Sequence, residues 1–532
     1  MTSIHVTSSM TDNGQRQWLF SSLFAPALFV FSVCLTVSIG CQTREEQGVV
    51  SSSGSSGGGM NDPDSDSAVK QTGKLPETTP DSDSVSRGVA ATVTQSAQDA
   101  AGEAAPDAAG EAAPDAAGEA APDAAGEAGV VSGGGTPTVE QLREAALQAL
   151  GEGQDDNAFQ FARQAMRRAP GNPQVVFLFA MVLADRHRYA EAIHILNELS
   201  GREPATRLPA LGQTAEWLVE SGQYAEAEQQ FRTILKEIPD ALMVHHRLAQ
   251  LLLQTGRRTE AALHFDYLAQ FGELDHEELR ALLIRHQAFP GDDGVTRFDP
   301  LNNLAMCRQE IADGKVQEVI KVIHAAGEKN SDGELELLHR LRAQQGDFDD
   351  VQKWVAKLDM TNSGPDAWFA RGCLALDRNS FAEAIACFSR VLLLDPTDAE
   401  AYRRLSEALK STGDVEKAKA IAARADLVAE THKLGRELIG EKANDRVLID
   451  RLVELLMQLK RPMEAFGWQT IGLVHAVEAA AITETQAQAT FESIGRQRDQ
   501  FVNSGQHRAD PAFVLCGLGP EVFNPVMEKS DQ

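Results

Sequence analysis

Three stretches of the chain carry one pattern of apolar and polar positions. They read YAEAIHILNELSGREP over 189–204, YAEAEQQFRTILKEIP over 224–239 and FAEAIACFSRVLLLDP over 381–396. Each opens on an aromatic residue, continues Ala-Glu-Ala and reaches a proline fifteen residues after the aromatic. Proline cannot continue a helix, so the pattern predicts one helix with a fixed stop. A second helix precedes it, as in DAWFARGCLAL at 366–376. Glycines such as Gly222 and Gly413 fall between the two, where a left-handed turn must end the first helix. The alanine of the motif recurs at Ala192, Ala227 and Ala261, then at Ala384 and Ala418, at intervals of 34 or 35 residues. A repeat of that length is the mark of stacked helix pairs, each too small to bury its own apolar face.

A period near 34 with two helices per unit resembles the tetratricopeptide repeat. The unit 365–398 carries the resemblance best. It has Trp368 at position four, Gly372 at eight, Phe381 at seventeen, Ala384 at twenty, Phe388 at twenty-four and Pro396 at thirty-two. Arg371 and Asn379 depart from the pattern, where leucine and glycine are usual. Units starting at 139, 173, 208, 242 and 399 fall in register, and weaker ones start at about 300, 332 and 446. The resemblance implies an all-α fold, a right-handed superhelical α-solenoid. In such a unit position eight meets position twenty, and small side chains there let the two helices approach closely. The units at 242 and 399 lack the closing proline, so the second helix of each is free to continue.

The repeats divide the chain. A first block covers 138–275 and a second covers 299–479, with a degenerate helix and loop at 276–298 between them. FPGDDGVTRFDP, 289–300, is broken by glycine and proline and reads as a bend, a hinge or a surface insertion. Residues 480–532 hold a capping helix, with Phe491, Ile494, Arg498 and Phe501 near helical spacing, and a proline-broken tail. A solenoid needs such a cap over its last apolar face. The tail, PAFVLCGLGPEVFNPVMEKSDQ, is apolar enough to dock on the array or on a partner, and both stay open.

Charge changes the picture of what such an array meets. The 532-residue chain has 49 Lys and Arg against 77 Asp and Glu, a net charge of −28. Phosphate binding needs a basic face, so nucleic acid is not an expected partner. Much of the excess lies in 42–137, where AAGEAAPD repeats over 100–123 offer nothing larger than alanine or proline to build a core. That segment is expected to be a disordered linker, extended and soluble.

Before the linker, Trp18 to Gly40 carry no charge, with Arg16 ahead of them and Cys41 and Arg44 behind. A charged start, an apolar run and small residues at a boundary predict an export signal over 1–41. The run is also long enough to span a bilayer, which leaves an uncleaved anchor as the alternative. VSIGC at 37–41 resembles the lipobox of bacterial lipoproteins. The resemblance implies cleavage and lipidation at Cys41. Gly40 fits it and Ser38 departs from it, and Gln42 after the cysteine implies an outer-membrane address. The expected location is the bacterial cell envelope, membrane-anchored on the periplasmic side.

Candidate chemistry adds little. The chain has no glycine-rich phosphate loop, no G-x-S-x-G elbow and no H-E-x-x-H pair. Its six cysteines form no C-x-x-C, which argues against zinc. Cys373 and Cys387 lie on the two helices of one unit, as buried thiols or as a bridge. His245 and His246 are adjacent on a helix and point about 100° apart, so they do not chelate one metal. About 50 residues follow the array, too few for the glycosyltransferase domain that such repeats precede in some enzymes. No enzyme activity, cofactor, metal or small-molecule substrate is expected.

The resemblance instead implies a protein or peptide partner on the concave face, at positions two, five, nine, twelve and thirteen of the first helices. Those positions hold Gln174, Phe177 and Met181; Met243, His246 and Gln250; Asp366, Phe369 and Cys373; and Glu400, Arg403 and Glu407. Apolar and polar residues mix there, as in peptide grooves. The Lys/Asn clamp used by relatives for chaperone carboxyl termini is missing from these positions.

Overall fold

The first block is a stack of helix pairs whose ends are set by local side chains. The computed structural model describes residues 136–290, 298–358, 363–507 and 510–519, and each described regular element is helical. The expected signal segment, Cys41 and the linker up to 135 lie outside the described residues. Helix α1 (Val139–Gly151) pairs with α2 (Asp155–Arg168), α3 (Pro173–Asp185) with α4 (Tyr189–Arg202), α5 (Arg207–Glu220) with α6 (Tyr224–Glu237), and α7 (Leu242–Gln254) with α8 (Arg258–Ala269). Thr138 and Gln141 form a reciprocal capping box at the start of α1, and Asn172 caps α3 ahead of Pro173. Glu191 and Glu226 sit in the first turns of α4 and α6, where a carboxylate meets the positive end of the helix dipole.

Within each pair the small residues meet as the register demands. Ala180 and Ala192, Ala215 and Ala227, and Ala249 and Ala261 are all fully buried. The turn between paired helices has positive φ. Gly222 takes it at 79°, while His187 and Asn379 take it at 57° and 56° in the units that lack the glycine.

The second block repeats the plan. It runs α10 (Asn303–Ala312) and α11 (Val316–Ala326), α12 (Asp332–Gln345) and α13 (Phe348–Val355), α14 (Pro365–Asp377) and α15 (Phe381–Leu394), α16 (Ala399–Ser411) and α17 (Val415–Glu437), then α18 (Arg446–Gln458) and α19 (Pro462–Glu478). A Cβ on Gly372 would come within 2.8 Å of the Phe388 ring, so α14 and α15 touch at a contact only glycine allows. Arg371 bonds Glu383 on the paired helix at 2.9 Å. This accounts for a polar residue where leucine is usual, and it half-buries Glu383. With no closing proline, α17 continues for 23 residues.

Two regions add to their sequence reading. The interblock segment contains a short helix, α9 (His276–Leu283), and the chain is packed up to Phe289. Leu279, Leu282, Leu283 and Ile284 are fully buried, and Phe289 nearly so. Leu279, Leu283, Ile284 and Phe289 form a core with Leu434, Leu438, Leu452 and Trp468 from the end of the array, while Leu282 packs into the core of α7 and α8. The leucines fall on one face of a short helix, and the chain end that follows carries Phe289 into the same core. Residues 291–297 lie outside the described residues. At the far end, α20 (Glu484–Asn503) caps the array with Ile494 and Phe501, the latter ring 5.7 Å from Phe466, while Phe491 stays exposed. Of the tail, the described residues 510–519 dock on the array through the short α21 (Pro511–Val514). Val514 and Leu515 are buried, Tyr402 Oη donates to the Val514 carbonyl at 3.1 Å, and the Arg424 guanidinium lies over the Phe513 ring. Among the described residues no helix is long and apolar enough to cross a membrane.

Candidate functional site

The concave-face positions of the first block form rows across α3, α5 and α7. Position five holds Phe177, Gly212 and His246; position nine holds Met181, Glu216 and Gln250; position thirteen holds Asp185, Glu220 and Gln254. Phe177, Met181 and Gln250 are half-buried and Met243, at position two, is 48% exposed. Glu216 bonds Arg247 of α7 at 3.0 Å. Burial pushes the Glu216 carboxyl up and Glu220 adds to it, with Arg247 pulling the other way. Burial also raises Glu220, against Tyr189, His187 and Arg247, and Asp185 adds repulsion. Sequence reasoning passed over Asp185, Gly212, Glu216 and Glu220, although the same register picks them out in units 173 and 208.

The row ends at α9. His246 Nδ1 meets Glu278 Oε1 at 2.9 Å. The adjacent His245 turns inward instead. Its Nδ1 is 2.9 Å from His264 Nδ1, its Nε2 is 2.9 Å from the Pro239 carbonyl, and its ring stacks on Tyr267. Burial pushes the His264 imidazole down to about 4.

The same positions on α14 of the second block face inward onto a network of ions. Asp366 is 1% exposed, Phe369 is fully buried and Cys373 is buried. None of the three is available to a partner on this surface, which corrects their place among the groove residues. Asp366 accepts from Arg308 of α10 at 2.8 Å and from Arg340 of α12 at 3.1 Å. Arg340 continues to Asp398, the N-cap of α16, at 2.7 Å, and its guanidinium covers the Phe369 ring at 4.1 Å. The interblock segment closes the network. Arg308 donates to the His286 carbonyl at 2.6 Å, His286 Nδ1 meets Asp395 Oδ2 at 2.7 Å, and the Arg285 amide donates to Thr397 Oγ1 at 2.9 Å. Arg285 also pairs with Asp266, and Arg461 clasps Glu464 while donating to the Leu282 carbonyl at 2.8 Å.

Two of the buried carboxylates are held in their charged form. Burial opposes charge on Asp366, but Arg308 and Arg340 outweigh it and hold the carboxyl below its usual range. Burial likewise opposes charge on Asp395, and His286 and Thr397 hold it well below. His432, buried nearby, is pushed down to about 3 by burial and then by His286. Cys373 and Cys387 are free thiols, both pushed up to about 12 by burial, so neither acts as a nucleophile. His286, Asp395 and Asp398 present ligand atoms within 4.8 Å of one another, a spacing that suits a cation. Arg340 and the imidazole of His286 already lie against those oxygens, so the charge is answered from within.

On α16, Arg403 and Glu407 are exposed. They join Glu400 and Arg404 in a surface ladder of ion pairs at 3.0–3.4 Å. Surface pairs of this kind contribute little to stability.

Helix pairs, small-residue contacts and positive-φ turns at this period define a helical-repeat scaffold. Residues 149–211, 218–283 and 375–440 match the family description of the tetratricopeptide repeat, and the chain carries these repeats in an all-α solenoid. A protein described as cellulose synthase operon protein C, from Escherichia coli O157:H7, is 26% identical over 220 residues, 40% of this chain. The chain spans 17% of that protein's length. Among solved structures, a tetratricopeptide repeat protein from Parabacteroides merdae is 16% identical, covering 51% of this chain and 98% of that one at a TM-score of 0.25. The hetero-tetramer Cut9–Hcn1 of APC/C is 15% identical over 74% of this chain and 91% of that one, at a TM-score of 0.26.

Proposed function

We propose that this chain is an exported, membrane-tethered scaffold that holds a protein partner on the concave face of its first repeat block. The observation that carries the reading is the contrast between the blocks. The first presents Met243 at 48% exposure where the second buries Asp366 at the same register position. Export and tethering rest on the apolar run 18–40 and on Cys41 within VSIGC. The uncleaved anchor is the alternative form of the same attachment. The lipidated form acts on the periplasmic side of the cell envelope, and an uncleaved anchor of inverted topology makes the chain an adaptor on the cytoplasmic side.

The likeness to a cellulose synthase operon protein supports a second reading, a non-catalytic subunit that assembles with an enzyme or a secretion complex carried on another chain. Crosslinking in intact cells followed by affinity capture of the full chain tests both. One recurrent enzyme whose activity needs the complex favours the subunit reading, and structural partners alone favour the scaffold. Labelling with a fatty acid tests the tether. Incorporation that vanishes in Cys41→Ala supports lipidation, and incorporation that persists removes it. Protease shaving of intact against permeabilised cells tests which side of the membrane carries the array.

A further inference from the structure

Two segments pack on the repeats without belonging to one, and they are held in different ways. Residues 282–289 are gripped along their backbone. Arg461 donates to the Leu282 carbonyl, Arg308 to that of His286 and Gln309 to that of Phe289, while the Arg285 amide donates to Thr397. Residues 510–519 instead close their own hydrogen bonds. Asp510 caps α21 by accepting from the Ala512 amide at 2.9 Å, and the amides of 514–518 donate to carbonyls between 510 and 515. Among the described residues one hydrogen bond ties this segment to the array, from Tyr402 Oη to the Val514 carbonyl. That carbonyl ends a helix and has no partner within it.

The surface beneath the segment is assembled without it. Arg424 Nε donates to Tyr402 Oη at 2.9 Å and Arg424 Nη2 to the Leu459 carbonyl at 3.1 Å, so the array's own residues orient the phenol, whose remaining proton goes to the tail. Val514, Leu515 and Leu518 enter the core built by α14 to α17, and the Phe513 ring lies 4.6 Å from the Arg424 guanidinium and 5.9 Å from the Lys460 ammonium. Tyr402 and Arg424 stand at positions four and twenty-six of their unit, outside the inner-face register. Cys516 has a φ of 50°, a conformation that side chains rarely adopt, so the docked form carries strain that release removes.

We propose that residues 510–519 are a detachable strap over a preformed receptor surface of the second block, and that this surface, once bared, takes a segment of the same chemistry from a partner protein. That segment is one helical turn with an aromatic residue, two aliphatic residues at its end and a free carbonyl there. The ring lies against Arg424 and Lys460, the aliphatic side chains enter the core, and the carbonyl accepts from Tyr402. Strap and partner compete for one site, so the tail sets how readily the array accepts the partner. The site is independent of the groove on the first block.

The test is hydrogen exchange on the full chain, read by mass spectrometry, with an isotopically labelled synthetic peptide of residues 510–519 as the probe. The amides of 514–518 are expected to exchange at least about tenfold faster than those of α15, by local opening. Excess peptide should speed them further while α14 to α17 stay protected. In Leu515→Asp, which unseats the strap within the full chain, the peptide should bind about tenfold more tightly than in the parent, because the site is no longer filled from within. Adding Tyr402→Phe should weaken it again, since the carbonyl loses its donor. Exchange of 514–518 only together with α15 makes the tail part of the core and overturns the proposal, whether or not Leu515→Asp folds. Protection of the tail that ignores the peptide, or equal peptide affinity in parent and Leu515→Asp, overturns it too. A parent that dimerises with concentration, and loses this in Leu515→Asp, makes a second copy the occupant and overturns the reading of a separate partner.

Discussion

Met243 and Asp366 occupy the same position of the same repeat, yet one faces outward and the other is enclosed by two arginines. The two blocks share one construction and diverge in what lies against the inner helices. In the first, α3, α5 and α7 keep half-exposed side chains. In the second, residues 284–289 and the arginines of α10 and α12 fill the corresponding space. A repeat therefore does not fix its own use, because the same position becomes an exposed surface or a structural core according to what the rest of the chain delivers to it.

The sharpest way to break this comparison is to cut the network. Asp366→Ala leaves Arg308 and Arg340 buried beside an emptied carboxylate site, and is expected to cost about 3–5 kcal/mol in chemical denaturation. A loss below about 1 kcal/mol would mean the ions are solvated and the second face is open. Next in size is Ala384→Trp. The alanine is fully buried between α14 and α15, so overpacking should cost about 1–3 kcal/mol or more, read as a fall in melting temperature.

Acidification should follow. His432 has its folded value lowered to about 3, below the ordinary 6.5 of an unfolded histidine, so the unfolded chain binds the proton first. Its contribution is full above about pH 6.5 and is lost as the pH falls towards 3. His264 acts in the same direction in the first block, with a folded value of about 4. Melting scans from pH 7 to 4 should fall less steeply in His432→Gln than in the parent, and equal slopes would remove His432 from the account. Asp395 adds a further loss below about pH 4, because its folded value is lowered. The smallest effect is expected at Met243→Ala, within about ±0.5 kcal/mol of the parent. A large loss there would show that the first face is core after all.

Much of the fold was legible because its rules are local. Small residues at Ala180 and Ala192, the turn at Gly222 and the stop at Pro239 each act within one unit, so one sequence window contains both partners. The network was not legible because its partners lie far apart. Arg308 meets Asp366 across 58 residues, and Arg340 meets Asp398 across the same interval. Arg308 and Arg340 both stand at position nine of their units, which was the available signal, but nothing local said that acids two helix pairs onward would reach them. The burial of the interblock segment was hidden for a related reason. The glycines and proline of FPGDDGVTRFDP resemble a surface loop, while the core-forming residues lie just ahead, in LLI and at Phe289 itself. Of the expected groove residues, Phe177 and Met181 are half-buried and Met243 is exposed. The register could not tell that Asp366, Phe369 and Cys373 would be covered.

The bond from Arg461 to the Leu282 carbonyl spans 179 residues, which sets the order of events during synthesis. An ordinary solenoid folds by nearest neighbours, each repeat completing as it leaves the ribosome. Here Leu279, Leu283, Ile284 and Phe289 emerge long before Leu452 and Trp468, the side chains that cover them. At about 5–20 residues per second the wait is roughly 10–35 s. For that interval a nascent chain shows a short apolar segment with no finished core to enter. Helices α1 to α7 pack by nearest neighbours, while Ala269 at the end of α8 and the segment after it wait for α18 and α19. A ribosome stalled between α9 and α18 would therefore display folded helices α1 to α7 beside an adhesive stub, a state suited to chaperone capture.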